Sequence, residues 1–141
     1  MYCADELPAQ AAVAAAPVDI HDCLYVCIGD GGGPVCSSCD RDGSHWVAFH
    51  FPLVGPAEFF DSLGNAPEAY HRSFANVLII NGPQYYYCSS QVQPDDTYTC
   101  GLYCLYYFKR RHRGMKLPDI VKDFYTADLK GNEDKILRSN C

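Results

Sequence analysis

An α+β domain is expected from three features of this chain. Its short β-prone runs mostly precede its helical stretches rather than alternating with them. One of them, Trp46-Val47-Ala48-Phe49-His50-Phe51, is apolar on both faces, as a central strand requires. A second apolar run begins at Leu102, straight after Cys100-Gly101. It ends on Lys109-Arg110-Arg111-His112-Arg113-Gly114, the cations and glycine that close a helix. With 141 residues, 48% of them hydrophobic, the chain suits one domain spanning residues 1–141, whose core needs no staples.

In chain order, residues 1–19 run from Asp5-Glu6-Leu7-Pro8 into an alanine tract and read as a short helix or a flexible N-terminal arm. Residues 24–28 form a short apolar strand bounded by Asp22 and Gly29. Residues 29–43 are rich in Gly, Asp and Ser and predict an exposed loop. The strand at 46–51 follows, then a turn at 52–56 and a returning strand at 57–61. So tight a hairpin places Asp61 across from the start of the first strand, near His45.

Asn65-Ala66-Pro67 opens a helix to about Asn76, with proline at an early position where it is harmless. Residues 77–80 and 84–88 are strand-like. After the Cys100 helix, Leu117-Pro118-Asp119 starts another, through Phe124. Asn132-Glu133-Asp134 caps a last short helix near Ile136. No internal repeat is visible.

A formal charge of −6 and a pI near 5.1 argue against a broad nucleic-acid surface. The basic run at 109–113 reads as a solvated helix end. No segment reaches the length of a membrane span, so no membrane partner is expected. The tract Ala11-Ala12-Val13-Ala14-Ala15-Ala16 follows Asp5 and Glu6 where a secretory signal carries basic residues, so it is not read as a signal peptide. The expectation is an intracellular protein whose nine cysteines are reduced.

Cys100 is the candidate nucleophile. It stands at or just before the first residue of a helix, where free N–H groups favour thiolate over thiol. Gly101 lets the backbone approach whatever Cys100 attacks. His45 opens the central strand and is the candidate base. Asp61 ends the partner strand and would hold the imidazole tautomer. Gln93, seven residues before Cys100, is the candidate side-chain donor to an oxyanion, alongside the Cys100 N–H.

Other residues carry blander readings. His50 belongs to a strand, and His21, His71 and His112 to the surface. Gln91 is the rival of Gln93. Cys104 shares a helix face with Cys100 and reads as a packed small hydrophobe. Cys36-Ser37-Ser38-Cys39 is a CxxC that, with Cys23 and Cys27, leaves a four-thiolate zinc site or a redox pair open beside a plain exposed loop.

The order His, Asp, Gln, Cys and the words around it resemble the adenovirus-type cysteine endopeptidases (the adenain family), within the wider clan of ubiquitin-like-protein proteases. Gly43-Ser44-His45-Trp46-Val47-Ala48-Phe49 is similar to that family's Gly-x-His-Trp strand. Glu58-Phe59-Phe60-Asp61-Ser62-Leu63-Gly64 is similar to its acidic segment. Gln93, Thr97 and Cys100-Gly101-Leu102-Tyr103-Cys104 match its Gln…Ser/Thr…Cys-Gly-x-Tyr/Phe-Cys pattern. The likeness covers about residues 3–135 and is greatest to versions carried by Maverick/Polinton transposons.

The resemblance implies a papain-like, ubiquitin-like-protease-type fold, with a central mixed sheet flanked by helices. It implies a thiol endopeptidase with Cys100 as nucleophile, His45 as base, Asp61 as orienter and Gln93 as oxyanion donor. Trp46 and Gly101 would line the substrate cleft. The substrate would be a polypeptide cut next to small residues such as glycine, in the maturation of viral or transposon structural proteins. No metal or other cofactor is implied, and an activating peptide or DNA is a further partner. The compartment would be the nucleus, cytoplasm or virion.

The chain departs from the pattern in Pro94-Asp95-Asp96, where a Ser-containing step is usual, and in its alanine tract and Gly31-Gly32-Gly33 loop. Two alternatives stand beside the endopeptidase: a protease specific for ubiquitin-like proteins, and an inactive interaction or zinc-binding domain that retains the fold.

Overall fold

A computed structural model describes residues 23–28, 45–70, 72–82 and 84–140, the first of these segments by its backbone. The N-terminal arm, the loop at 29–43 and Cys36/Cys39 of the zinc and redox readings lie outside the described residues, as do the side chains of Cys23 and Cys27.

The described chain is mixed α+β. Four strands form one sheet in the order β1 (Cys23–Ile28), β2 (His45–His50), β3 (Ala57–Phe60), β4 (Tyr85–Tyr87). β1 and β3 pair antiparallel with β2, and β4 pairs parallel with β3, so the sheet is mixed. The expected hairpin is present, with Ala48 opposite Phe60 and His50 opposite Glu58. Its tip carries Gly55 at a φ of 101°, in the left-handed region that favours glycine.

The side-chain period of two divides β2 and β3 between two cores. Val47, Phe49 and Phe51 of one strand and Ala57 and Phe59 of the other meet Phe74, Val77 and Leu78 of helix α1 (Arg72–Ile80). Phe49 packs edge-on to Phe74 at 5.5 Å between centroids. On the opposite face, Ala48 and Phe60 meet Tyr103, Cys104 and Tyr107 of helix α2 (Cys100–His112), with Phe60 stacked on Tyr107 at 5.2 Å. Helices α3 (Leu117–Val121) and α4 (Leu129–Ser139) complete that second core through Leu117, Ile120 and Ile136.

Three sequence expectations are corrected. The stretch at 65–80 does not divide into a helix to Asn76 and a strand at 77–80. A 3₁₀ turn, Pro67–Ala69, precedes α1, and α1 continues to Ile80. The β-branched Val77, Ile79 and Ile80 suggest a strand, yet the buried positions 74, 75, 77 and 78 have helical spacing, and Ile79 and Ile80 face out. The Leu117 helix stops at Val121 rather than Phe124. The last helix starts at Leu129, capped by Asp128, whose Oδ1 accepts from Gly131 N at 2.9 Å. Residues 132–134 therefore lie inside α4, and Asn132 is fully buried.

α2 begins at Cys100 and ends as its terminal cations and Gly114 (φ 87°) indicate. Among the described residues, no helix is long and apolar enough to cross a membrane.

Candidate active site

The site gathers where the start of β2, the end of β3 and the N-terminus of α2 meet. β2 presents His45, the turn after β3 presents Asp61, and Cys100 is the first residue of α2. The hairpin register sets the first pair. With Ala48 opposite Phe60, the chain beyond Phe60 runs back beside the start of β2. His45 Nε2 lies 2.6 Å from Asp61 Oδ1. Cys100 is the other group coupled to the imidazole: each shifts the other's titration toward its charged form. Three residues distant in the chain thus meet at one place: carboxylate, imidazole and sulfur.

Asp61 is held from several sides. Its Oδ1 also accepts from Leu63 N at 2.9 Å, and its Oδ2 accepts from Asn65 N at 3.2 Å and from the Tyr70 hydroxyl. Gly64, at a φ of 79°, folds the turn back so that its N–H meets Asp61 O at 2.9 Å. Burial works against the Asp61 charge, but the His45 bond and these donors outweigh it and hold the carboxyl below its ordinary pKa.

Burial likewise opposes charge on His45. The bonds to Asp61 and Cys100 win, and its pKa rises from 6.5 to about 9. For Cys100 burial would raise the pKa. The His45 bond and the backbone N–H groups of Trp46, 3.4 Å from the sulfur, and of Gly101 outweigh it, and the thiol is held below its usual value. Both shifts act in one direction, toward a thiolate beside an imidazolium.

Trp46 and Gly101 border the sulfur. The Trp46 indole lies against Gly101, where an added Cβ would meet the ring at 3.8 Å, an ordinary contact. Among the described residues, packing therefore does not demand glycine at 101.

Gln93 is placed differently from its expectation. It is 2% exposed; its Oε1 accepts from Ser62 Oγ at 2.5 Å, and its Nε2 donates to Thr97 O and Thr97 Oγ1, each at 3.1 Å. The donor meant for an oxyanion is here committed to the loop that leads into Cys100. Gln91, the rival, bonds to Gln93 O and to Asp95. Cys104 is fully buried, and its sulfur donates to Trp46 O at 3.5 Å, in keeping with a packed hydrophobe. Cys88, Cys100 and Cys104 are free thiols.

Sequence reasoning missed Tyr70, whose hydroxyl holds Asp61 and whose ring lies 5.9 Å from that of His45. No local pattern marks it, because it arrives through the 3₁₀ turn before α1. Ser62 was also missed, although its place directly after Asp61 offered a signal. Comparison with family models, curated proteins and solved structures returned no match.

Proposed function

We propose that this chain is a cysteine endopeptidase of papain-like, ubiquitin-like-protease type, in which Cys100 attacks a peptide carbonyl. The observation that carries the reading is the convergence of Asp61, His45 and Cys100, with the sulfur on the first residue of a helix.

The Cys100 thiolate adds to the carbonyl carbon, and the carbonyl π electrons move to oxygen. The N–H at the start of α2 faces that oxygen, as does Gln93 once Nε2 exchanges Thr97 for it. On collapse the C–N bond breaks, His45 gives its proton to the departing amine, and a thioester remains. Water then attacks the thioester, with the neutral His45 taking a proton. The acid leaves, and thiolate and imidazolium are restored. Asp61 holds the ring through Nε2 throughout, which leaves Nδ1 for the sulfur and the amine.

The resemblance to the adenain family supports a polypeptide substrate with small residues, glycine above all, beside the scissile bond. The partly exposed Trp46 and the side-chain-free Gly101 next to the sulfur fit such a narrow approach. The resemblance also supports processing of viral or transposon structural proteins as the setting.

The test is cleavage of a Gly-Gly-containing peptide by the wild type and by Cys100→Ala. The variant is expected to lose turnover completely while its circular dichroism stays that of the wild type. Equal turnover by the two proteins would end the assignment.

A further inference from the structure

We infer that Asn132 and Glu133 of α4 are positioning residues that fix the Gln93 loop relative to the nucleophile turn, an inference that rests on the assignment of Cys100 as nucleophile. Glu133 Oε2 accepts from Thr99 Oγ1 at 2.8 Å and from Tyr103 Oη at 3.2 Å. Those two residues are four apart, share one face of the start of α2, and bracket Cys100. Thr99 stands where a threonine usually caps its own helix, yet its hydroxyl makes no such bond and goes to Glu133 instead.

The neighbouring residue holds the other end. Asn132 is fully buried, and its Nδ2 donates to Val92 O at 2.9 Å, next to Gln93. Its orientation is fixed by Tyr125, whose N–H meets Oδ1 at 2.8 Å and whose carbonyl accepts from Nδ2 at 2.6 Å. The single Tyr103 hydroxyl hydrogen is shared between Glu133 Oε2 and Val92 O, the latter at 3.3 Å. Two adjacent residues on one rigid helical turn therefore grip both ends of the stretch at 92–99. That stretch carries Gln93 at one end and delivers Cys100 at the other, and misplacement by about 1 Å is enough to cost a reaction that needs both.

Among the described residues, the titratable groups coupled to Cys100 are His45, with Asp61 behind it, Tyr70 and Cys104. Glu133 borders the same helix start from α4. A purely electrostatic part for Glu133 predicts that removing its negative charge favours the thiolate. The positioning part predicts the opposite, because a loosened turn weakens the N–H and imidazole bonds to sulfur.

The experiment follows iodoacetamide alkylation of Cys100 on its own peptide by mass spectrometry across pH, beside turnover of a Gly-Gly peptide. Glu133→Ala is expected to raise the alkylation midpoint by about one unit. It is expected to lower kcat by about tenfold or more with KM held within about threefold. Glu133→Gln keeps an acceptor at the same reach and recovers most of that loss. Thr99→Val removes only a hydroxyl and shifts both readouts in the same direction, which decides the matter should Glu133→Ala fail to fold. The double variant costs no more than Glu133→Ala alone, because the Thr99–Glu133 bond that Thr99→Val removes is already lost with Glu133.

A lowered midpoint, additive costs, or a fall in melting temperature with alkylation and kcat unmoved would overturn the positioning role. Should no variant cleave the peptide, the wild type included, while the midpoints shift as stated, the endopeptidase reading fails and the clamp stands.

Discussion

His45 owes its charge to its neighbours. An isolated imidazole is mostly neutral at pH 7, and burial makes a charged one costlier still. Only the bonds to Asp61 and Cys100 carry its pKa to about 9. The sign of the pH dependence follows. His45 is raised, so its contribution to stability is full below 6.5 and is lost as pH climbs through about 9. Asp61 is lowered, so its contribution is present above 3.8 and is lost as pH falls through its lower native value. Turnover is expected to decline above about 9, where His45 no longer holds the proton needed by the leaving amine. Asp61→Asn removes the strongest charged support of His45. It should move that upper limb down toward 6.5 and lower turnover on the order of 10²-fold, measured as a pH–rate profile. An upper limb left in place would detach Asp61 from the chemistry. At this scale Cys100, His45 and Asp61 were legible because their chemistry is written in residue type. The engagement of Gln93 with Thr97 was not, because it depends on how one loop closes on itself.

At the scale of elements, legibility followed the strength of local signals. β2 and α2 carry apolar runs with clear ends, β3 returns from β2 through a short turn, and all three lie within a residue of their expected bounds. α1 was half misread because Val77, Ile79 and Ile80 favour strands in isolation, while the buried Phe74, Ala75, Val77 and Leu78 face the sheet only in helical form. α4 was begun too late because Asn132 has the type of a cap, yet its amide serves Val92 and Tyr125 from inside the helix. The turn after β3 matters most to the site, and Gly64 is its hinge. A Cβ there would stand 2.7 Å from both Gln91 N and Ser90 C, backbone atoms that cannot swing away, at a φ of 79°. Gly55, at a φ of 101°, meets nothing within 4 Å. Gly55→Ala therefore carries only conformational strain of about 1 kcal/mol. Gly64→Ala adds the displacement of residues 90–91 and is expected to cost roughly 2 kcal/mol more, in the range of overpacked sites. Urea unfolding of the two variants gives the difference, and equal midpoints would show that the turn yields freely.

Across the whole molecule, the sheet is joined to the helices on one of its faces by a charge that sequence pattern conceals. Glu58, between Ala57 and Phe59, is 1% exposed and lies on the face that packs against α2. Its Oε1 accepts from Tyr107 Oη at 2.6 Å and its Oε2 from Leu117 N at 3.0 Å, so one carboxylate ties β3 to α2 and to the start of α3. Arg111 Nε lies 3.0 Å from the same Oε1, near enough for an ion pair though without the alignment of a hydrogen bond. Such a pair is costly to break from one side, because the partner is left charged and dry. Glu58→Ala strands the Arg111 guanidinium and the Leu117 N–H, and it is expected to destabilise the fold by about 3–5 kcal/mol. Glu58→Ala with Arg111→Met removes both charges and should recover a substantial part of that loss. Tyr107 stands seven residues along α2 from Cys100, about 10 Å by the helical rise, so the folded fraction should keep its Cys100 alkylation rate. Denaturant unfolding and alkylation on the same samples separate the two effects. A loss below about 1 kcal/mol for Glu58→Ala would place this pair with ordinary surface bridges.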